Sequence, residues 1–202
     1  MNSSTSIRTK GYTEIRCTRT AGRNPESESE SEKTEPLSKS DGTARTWYQY
    51  QKLSDMIFGR TSNRNGYLDF HKFCFSTDLS EYAGLNNAQL NHEETEKSIG
   101  KRQELFRSDF FRSFPIVIAA VGNYRHYLDW DEFGVNRCPK EKIAVGNASF
   151  TLHVNDDCSN PHLVIAVWQL AAPISDAYLR AIAGKVNDFA TQHDIQLLPD
   201  FY

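Results

Sequence analysis

Residues 115–122 read Pro115-Ile116-Val117-Ile118-Ala119-Ala120-Val121-Gly122, a continuous apolar run rich in β-branched side chains, opened by proline and closed by glycine. A strand that is apolar on both faces belongs inside a sheet covered on both sides. Upstream, a helix is predicted from Asn87 or Asn91 to Phe111. Its Glu93-Glu94 pair suits the positive end of a helix dipole, and Leu105, Phe106 and Phe110 supply a buried face. Helix followed by buried strand is the order of an α/β layer fold.

Downstream, Ala148 to Val154 alternates, with Phe150, Leu152 and Val154 on one face and Ser149, Thr151 and His153 on the other. After a turn over 155–161, His162 to Leu170 is a second continuous apolar strand, expected to run parallel to the first. Ser175 is the expected N-cap of a last helix, in which Tyr178, Leu179, Ile182, Val186 and Phe189 recur at amphipathic spacing. Ile195 to Leu198 reads as a short edge strand. Before the central run, Trp47 to Gly59 has helical spacing, with a short strand over Met56 to Phe58 as the alternative. Residues 60–66 form a polar turn, and Leu68 to Leu79 is a short helix or an aromatic-rich packed loop. The expectation is a three-layer α/β/α domain over 47–202, with a mostly parallel central sheet.

Residues 1–46 differ in kind. Large apolar side chains are few, Tyr12, Ile15 and Leu37 among them, and Ser, Thr, Glu, Arg and Lys fill most of the rest. Such a composition buries too little apolar surface to offset ordering entropy, so a disordered polar tail is expected. The tail holds 8 Lys and Arg against 7 Asp and Glu, which leaves 15 basic and 19 acidic residues for the domain. An acidic domain disfavours indiscriminate nucleic-acid binding, which leans on Lys and Arg. The basic start of the tail lacks the amphipathic face of an organelle-targeting peptide. No apolar run approaches membrane-spanning length, so no membrane partner is expected. The four cysteines lie far apart without CxxC pairs; reduced thiols and a cytoplasmic location are the expectation.

Ligands of open α/β sheets sit beyond the carboxyl ends of the strands. One such place is Gly122-Asn123-Tyr124-Arg125-His126. Gly122 allows close approach, Asn123 offers a donor and an acceptor, Arg125 suits a phosphate or carboxylate, and His126 can move a proton. An ordinary turn with a helix cap is the alternative. The other place is Gln169, a lone polar side chain in its run, which is either a satisfied core amide or a ligand contact. The stretch with Arg60, Asn63, Arg64, Asn65, Tyr67, His71, Lys72, Phe73 and Phe75 mixes basic, amide and aromatic groups. It suits either a base-stacking site or aromatics packed inward. His153, Asp156, Asp157, Cys158 and His162 match no zinc spacing, and a polar turn accounts for them without a metal. Asp129, Asp131 and Glu132 offer acids for a metal-dependent nuclease but no evident arrangement. With no P-loop, GxGxxG, GxSxG or HExxH pattern in the sequence, no cofactor is expected.

The order of these parts resembles the uracil-DNA glycosylase superfamily. The resemblance rests on Glu93 to Leu128, with the strand IVIAAVG, on Ser149 to His153, on HLVIAVWQLAAPIS, and on the polar loop SNRNG followed by Phe70, Phe73 and Phe75. It implies a domain that binds DNA or a nucleobase. Phe75 would stack on the base and Asn123 would read its edge. Asn65 or Asn63 would position water, and Arg64 and Arg125 would hold flanking phosphates. The rest of the expected pocket is Gly122, Tyr124, His126, His153 and Gln169. The sequence departs from the family at its last motif, where a His followed by Pro-Ser is replaced by Ala166-Val167-Trp168-Gln169. Loss of that cationic donor removes a stabiliser of charge on the departing base, so a degenerate glycosylase is implied. The cysteine spacing does not fit the iron–sulfur cluster of some members. The competing expectation is a non-catalytic α/β module that binds a protein or a small ligand.

Overall fold

The computed structural model describes residues 45–60, 68–80, 92–170 and 172–197, all within one unit, Glu35–Tyr202. Helix α1 spans Arg45–Ile57 and so takes up the last two residues of the stretch expected to be tail; the rest of that expectation lies outside the described residues. The helical reading of Trp47 to Gly59 holds over the strand alternative. Its end is explained by Gly59, whose φ of 61° allows Arg60 N–H to reach back to the Asp55 carbonyl at 2.8 Å, a Schellman-type stop. Phe70–Lys72 makes a single 3-10 turn.

Helix α2 covers His92–Phe106 and α3 covers Asp109–Arg112. One helix reaching Phe111 was the expectation; Ser108 interrupts it with extended backbone, ψ 149°. A Ser-Asp pair favours starting a helix over continuing one. Strand β1 is Ile116–Ala119, β2 Glu141–Val145, β3 Ala148–Val154 and β4 Leu163–Ala166, and helix α4 is Asp176–Gln192. The Ser175 hydroxyl accepts from Tyr178 N–H, which makes it the N-cap the sequence indicated.

The sheet order is β1-β4-β3-β2. β1 pairs parallel with β4, placing Ile116 opposite Leu163 and Ala119 opposite Ala166. β4 with β3, and β3 with β2, are antiparallel. The sheet is therefore mixed, which corrects the mostly parallel expectation. The cause is the hairpin: Gly146, with φ 60°, and Asn147 form a two-residue turn that returns β3 against β2. The expected edge strand at Ile195 is also absent among the described residues. Ile195 N–H instead closes the end of α4 on the Ala190 carbonyl at 2.8 Å.

One face of the sheet packs on α1 and α4, where Leu53, Phe150, Leu152, Ile165, Leu179 and Ile182 form the larger core. The other face gathers Val164, Ala119, Leu128 and Val135, with Leu79, Trp130 and Phe133 against them. No described helix is long and apolar enough to cross a membrane.

His153 lies on this second face, 3% exposed. Its ring stacks on Trp130 at 3.7 Å between centroids and 9° between planes. Nδ1 donates to the Asn136 carbonyl and Nε2 accepts from the Thr151 hydroxyl, since a carbonyl can only accept. Burial pushes the imidazoles of His153 and His162 below their ordinary 6.5. The fold thus favours their neutral forms. This stability is complete above the unfolded value of about 6.5 and is lost as the pH falls through it toward the lower folded values. Urea unfolding is expected to give lower stability at about pH 5.5 than at about pH 7.5, with a flatter profile in the double variant His153→Asn/His162→Asn. An unchanged slope in that variant would contradict the assignment.

Candidate functional site

The parallel pair β1–β4 brings together the two places singled out in the sequence. Gly122 N–H donates to the Val167 carbonyl at 3.1 Å, so the chain after β1 stays tied to the chain after β4. Gly122 has φ 54°, and a Cβ there would meet Gln169 Cγ at 3.1 Å. The missing side chain is therefore what lets Gln169 lie across this turn.

On either side of Gly122, Val121 and Tyr124 line a cavity of about 800 Å³, together with Gln169 and Phe75. The cavity runs along the whole of 116–121 and is walled largely by aromatic and aliphatic side chains. Phe75 is 41% exposed. It stacks on Phe114 at 5.9 Å and meets Phe110 and Phe111 edge-on, so it is held in one orientation. Arg102 and Cys74 add polar groups to the wall. Arg102 donates to the Thr77 hydroxyl and the Asp78 carbonyl, and burial pushes the Cys74 thiol up, keeping it protonated. Such a site, mostly apolar with a few placed polar groups, is suited to holding a ligand with one hydrogen-bonding edge.

Other expected residues fall elsewhere. Asn123, Arg125 and His126 are exposed on the 3-10 turn Gly122–Tyr127, outside the cavity lining. His126 Nδ1 bonds the Asn123 carbonyl at 2.5 Å, and its ring lies 3.9 Å from that of Tyr127. His153 is occupied in the core contact with Trp130. Asn63, Arg64 and Asn65 lie outside the described residues. Among the described residues no group of three or more His, Cys, Asp or Glu could hold a metal ion. Of the three acids considered for a nuclease, Glu132 is buried against Arg107, which holds its carboxyl below the usual range, and Asp129 accepts from the Asp131 N–H.

Arg60, from the stretch that suits either a base-stacking site or inward packing, packs inward. It lies half-buried between Asp55 and Asp69 at 3.0 and 3.1 Å and sits 4.4 Å from the centre of the Phe73 ring. Gln51 completes the cluster: its carbonyl accepts from Asp69 and Phe70 N–H, and its amide donates to both carboxylates. Gly59 is the one local signal that could have revealed this, because a C-terminal helix stop folds the next residue back. Thr77, Asp78 and Arg102, which sequence reasoning passed over, sit together through contacts more than twenty residues apart. No protein-family model, curated protein or solved structure matches this chain.

Proposed function

We propose that this domain is a binding module for a nucleobase or a comparable planar ring, held in the cavity at the carboxyl ends of β1 and β4. The observation that carries this reading is the Gly122–Gln169 contact, which sets a primary amide at the edge of an aromatic-walled cavity. An amide offers a donor and an acceptor side by side, as a base edge does. Phe75 and Tyr124 supply faces for stacking. DNA presenting such a base would meet Arg125 and His126 at the rim, both exposed.

Hydrolysis of an N-glycosidic bond has less support. Ala166-Val167-Trp168 carries no cationic donor, and His126 is turned to its own loop rather than into the cavity. The reading is therefore binding without strong catalysis.

Titration of the purified chain with free uracil, cytosine and adenine, and with a uracil-containing single strand, tests it. Fluorescence of Trp168, exposed beside Gln169, provides the signal, and base release is assayed on the same samples. Gln169→Ala is expected to weaken base binding about tenfold, the scale of one or two lost hydrogen bonds. Gly122→Ala is expected to weaken it too, because a Cβ would displace Gln169 and strain the turn. No binding of any base, or full affinity in Gln169→Ala, would refute the reading.

A further inference from the structure

Strand β1 lies at the edge of the sheet. Leu163 N–H donates to the Pro115 carbonyl and Val167 N–H to the Ala119 carbonyl, so the odd-numbered residues of β1 face β4. By alternation, the N–H and C=O groups of Ile116 and Ile118 point outward. No described strand pairs with them. The outward edge borders the cavity, which all of residues 116–121 line. Exposed edges are usually blunted by Lys, inward charges or internal Pro. This one has none of these over Ile116 to Val121.

We propose that the outer edge of β1 accepts an extended, apolar segment of a partner polypeptide as a fifth strand. The inference goes beyond the base-binding reading, because it uses the backbone edge and not the Gln169 amide. A row of alternating donors and acceptors is matched along its length only by another extended backbone, and strand addition works in this way. Residues Ile116–Ala119 offer about 13 Å of edge at the usual strand rise. An added strand would project side chains both ways. On one side stand Leu53, Ile57 and Leu170, and on the other Leu79, Phe106 and Phe133. Both walls are mainly apolar, with Thr77, Asp78 and Arg102 as polar groups on the second, so the segment is mainly apolar on both faces. The chain's own residues 1–44 do not fit this description, being dominated by Ser, Thr, Glu, Lys and Arg.

The test uses the full chain and a short capped peptide of alternating valine and leucine, flanked by lysines and carrying a fluorescent group. Fluorescence anisotropy is expected to show saturable binding. Two further peptides carry N-methyl groups on alternate amides, one on the odd and one on the even positions. Only one of the two sets of amides can face β1, so one methylated peptide is expected to lose about tenfold or more in affinity and the other to lose less. Ile118→Pro removes an outward donor at an edge position, where proline is tolerated, and is expected to weaken binding with an unchanged melting temperature. Gln169→Ala is expected to leave peptide binding intact, which separates this site from base recognition. No binding of the parent peptide, or equal binding of both methylated forms, would overturn the proposal even if bases bind. Should Ile118→Pro not fold, the methylated pair decides.

Discussion

Tyr178→Ala is expected to lower the stability of the domain by about 3–5 kcal/mol, the range for removing a large buried aromatic side chain. Tyr178 is 1% exposed and packs edge-on against Phe150 at 5.5 Å. Its hydroxyl also joins three elements. It donates to the Ser149 carbonyl at 3.2 Å and accepts from Trp168 N–H at 3.3 Å, which ties α4 to β3 and to the end of β4. Burial pushes the phenol pKa up, so the group remains a donor throughout the neutral range. Tyr178→Phe separates the two contributions, because it keeps the ring and loses the bonds at a cost of about 1 kcal/mol or somewhat more. Urea denaturation of the three proteins at one pH measures both steps. A loss below about 1 kcal/mol in Tyr178→Ala would show that this side chain is not the junction described.

The second large effect concerns Arg60. Arg60→Met keeps much of the side-chain volume but leaves Asp55 and Asp69 buried without their cation. The side chains of all three are at most 15% exposed, so water offers little replacement. Breaking a buried pair from one side typically costs about 3–5 kcal/mol. Neutralising the carboxylates as well, in Arg60→Met/Asp55→Asn/Asp69→Asn, is expected to recover part of the loss, because no uncompensated charge then remains. Thermal and chemical unfolding of the single and triple variants check this. A triple variant less stable than the single one would mean that the carboxylates hold the fold through Gln51 alone.

The parts of the fold written as periodic apolar patterns were legible in the sequence. The β-branched run at 116–121, the alternation over 148–154 and the amphipathic spacing from Tyr178 onward each correspond to an element, and β1 and β4 are parallel as read. β2 was not read because Glu141 and Lys142 interrupt its apolar pattern; as an edge strand half open to solvent it needs no full alternation. That omission also hid the hairpin, and with it the mixed character of the sheet. At the site, Gly122 and Gln169 were both read from strand-end positions. Asn123 and Arg125 suit a ligand by residue type, yet on the 3-10 turn they are exposed and outside the cavity lining. Arg60 is ambiguous in the sequence for a related reason. Its partners Asp55 and Asp69 flank it in the chain, and a basic residue beside aromatics reads alike whether it faces solvent or a buried carboxylate.

The Gln51–Asp55–Arg60–Asp69 cluster also bears on how this chain can change. It fixes the two ends of the stretch between Arg60 and Asp69 to a single base on α1, whatever lies between them. Closing a longer connection over an already fixed base costs only about 0.6 kcal/mol for each doubling of its length. A change of length between these two residues therefore adds only a small closure cost, whereas a change to any of the four anchors removes a contact of the cluster. Divergence among descendants of this sequence should accumulate there as differences in length, and a recognition sequence or reporter could be grafted at the same position.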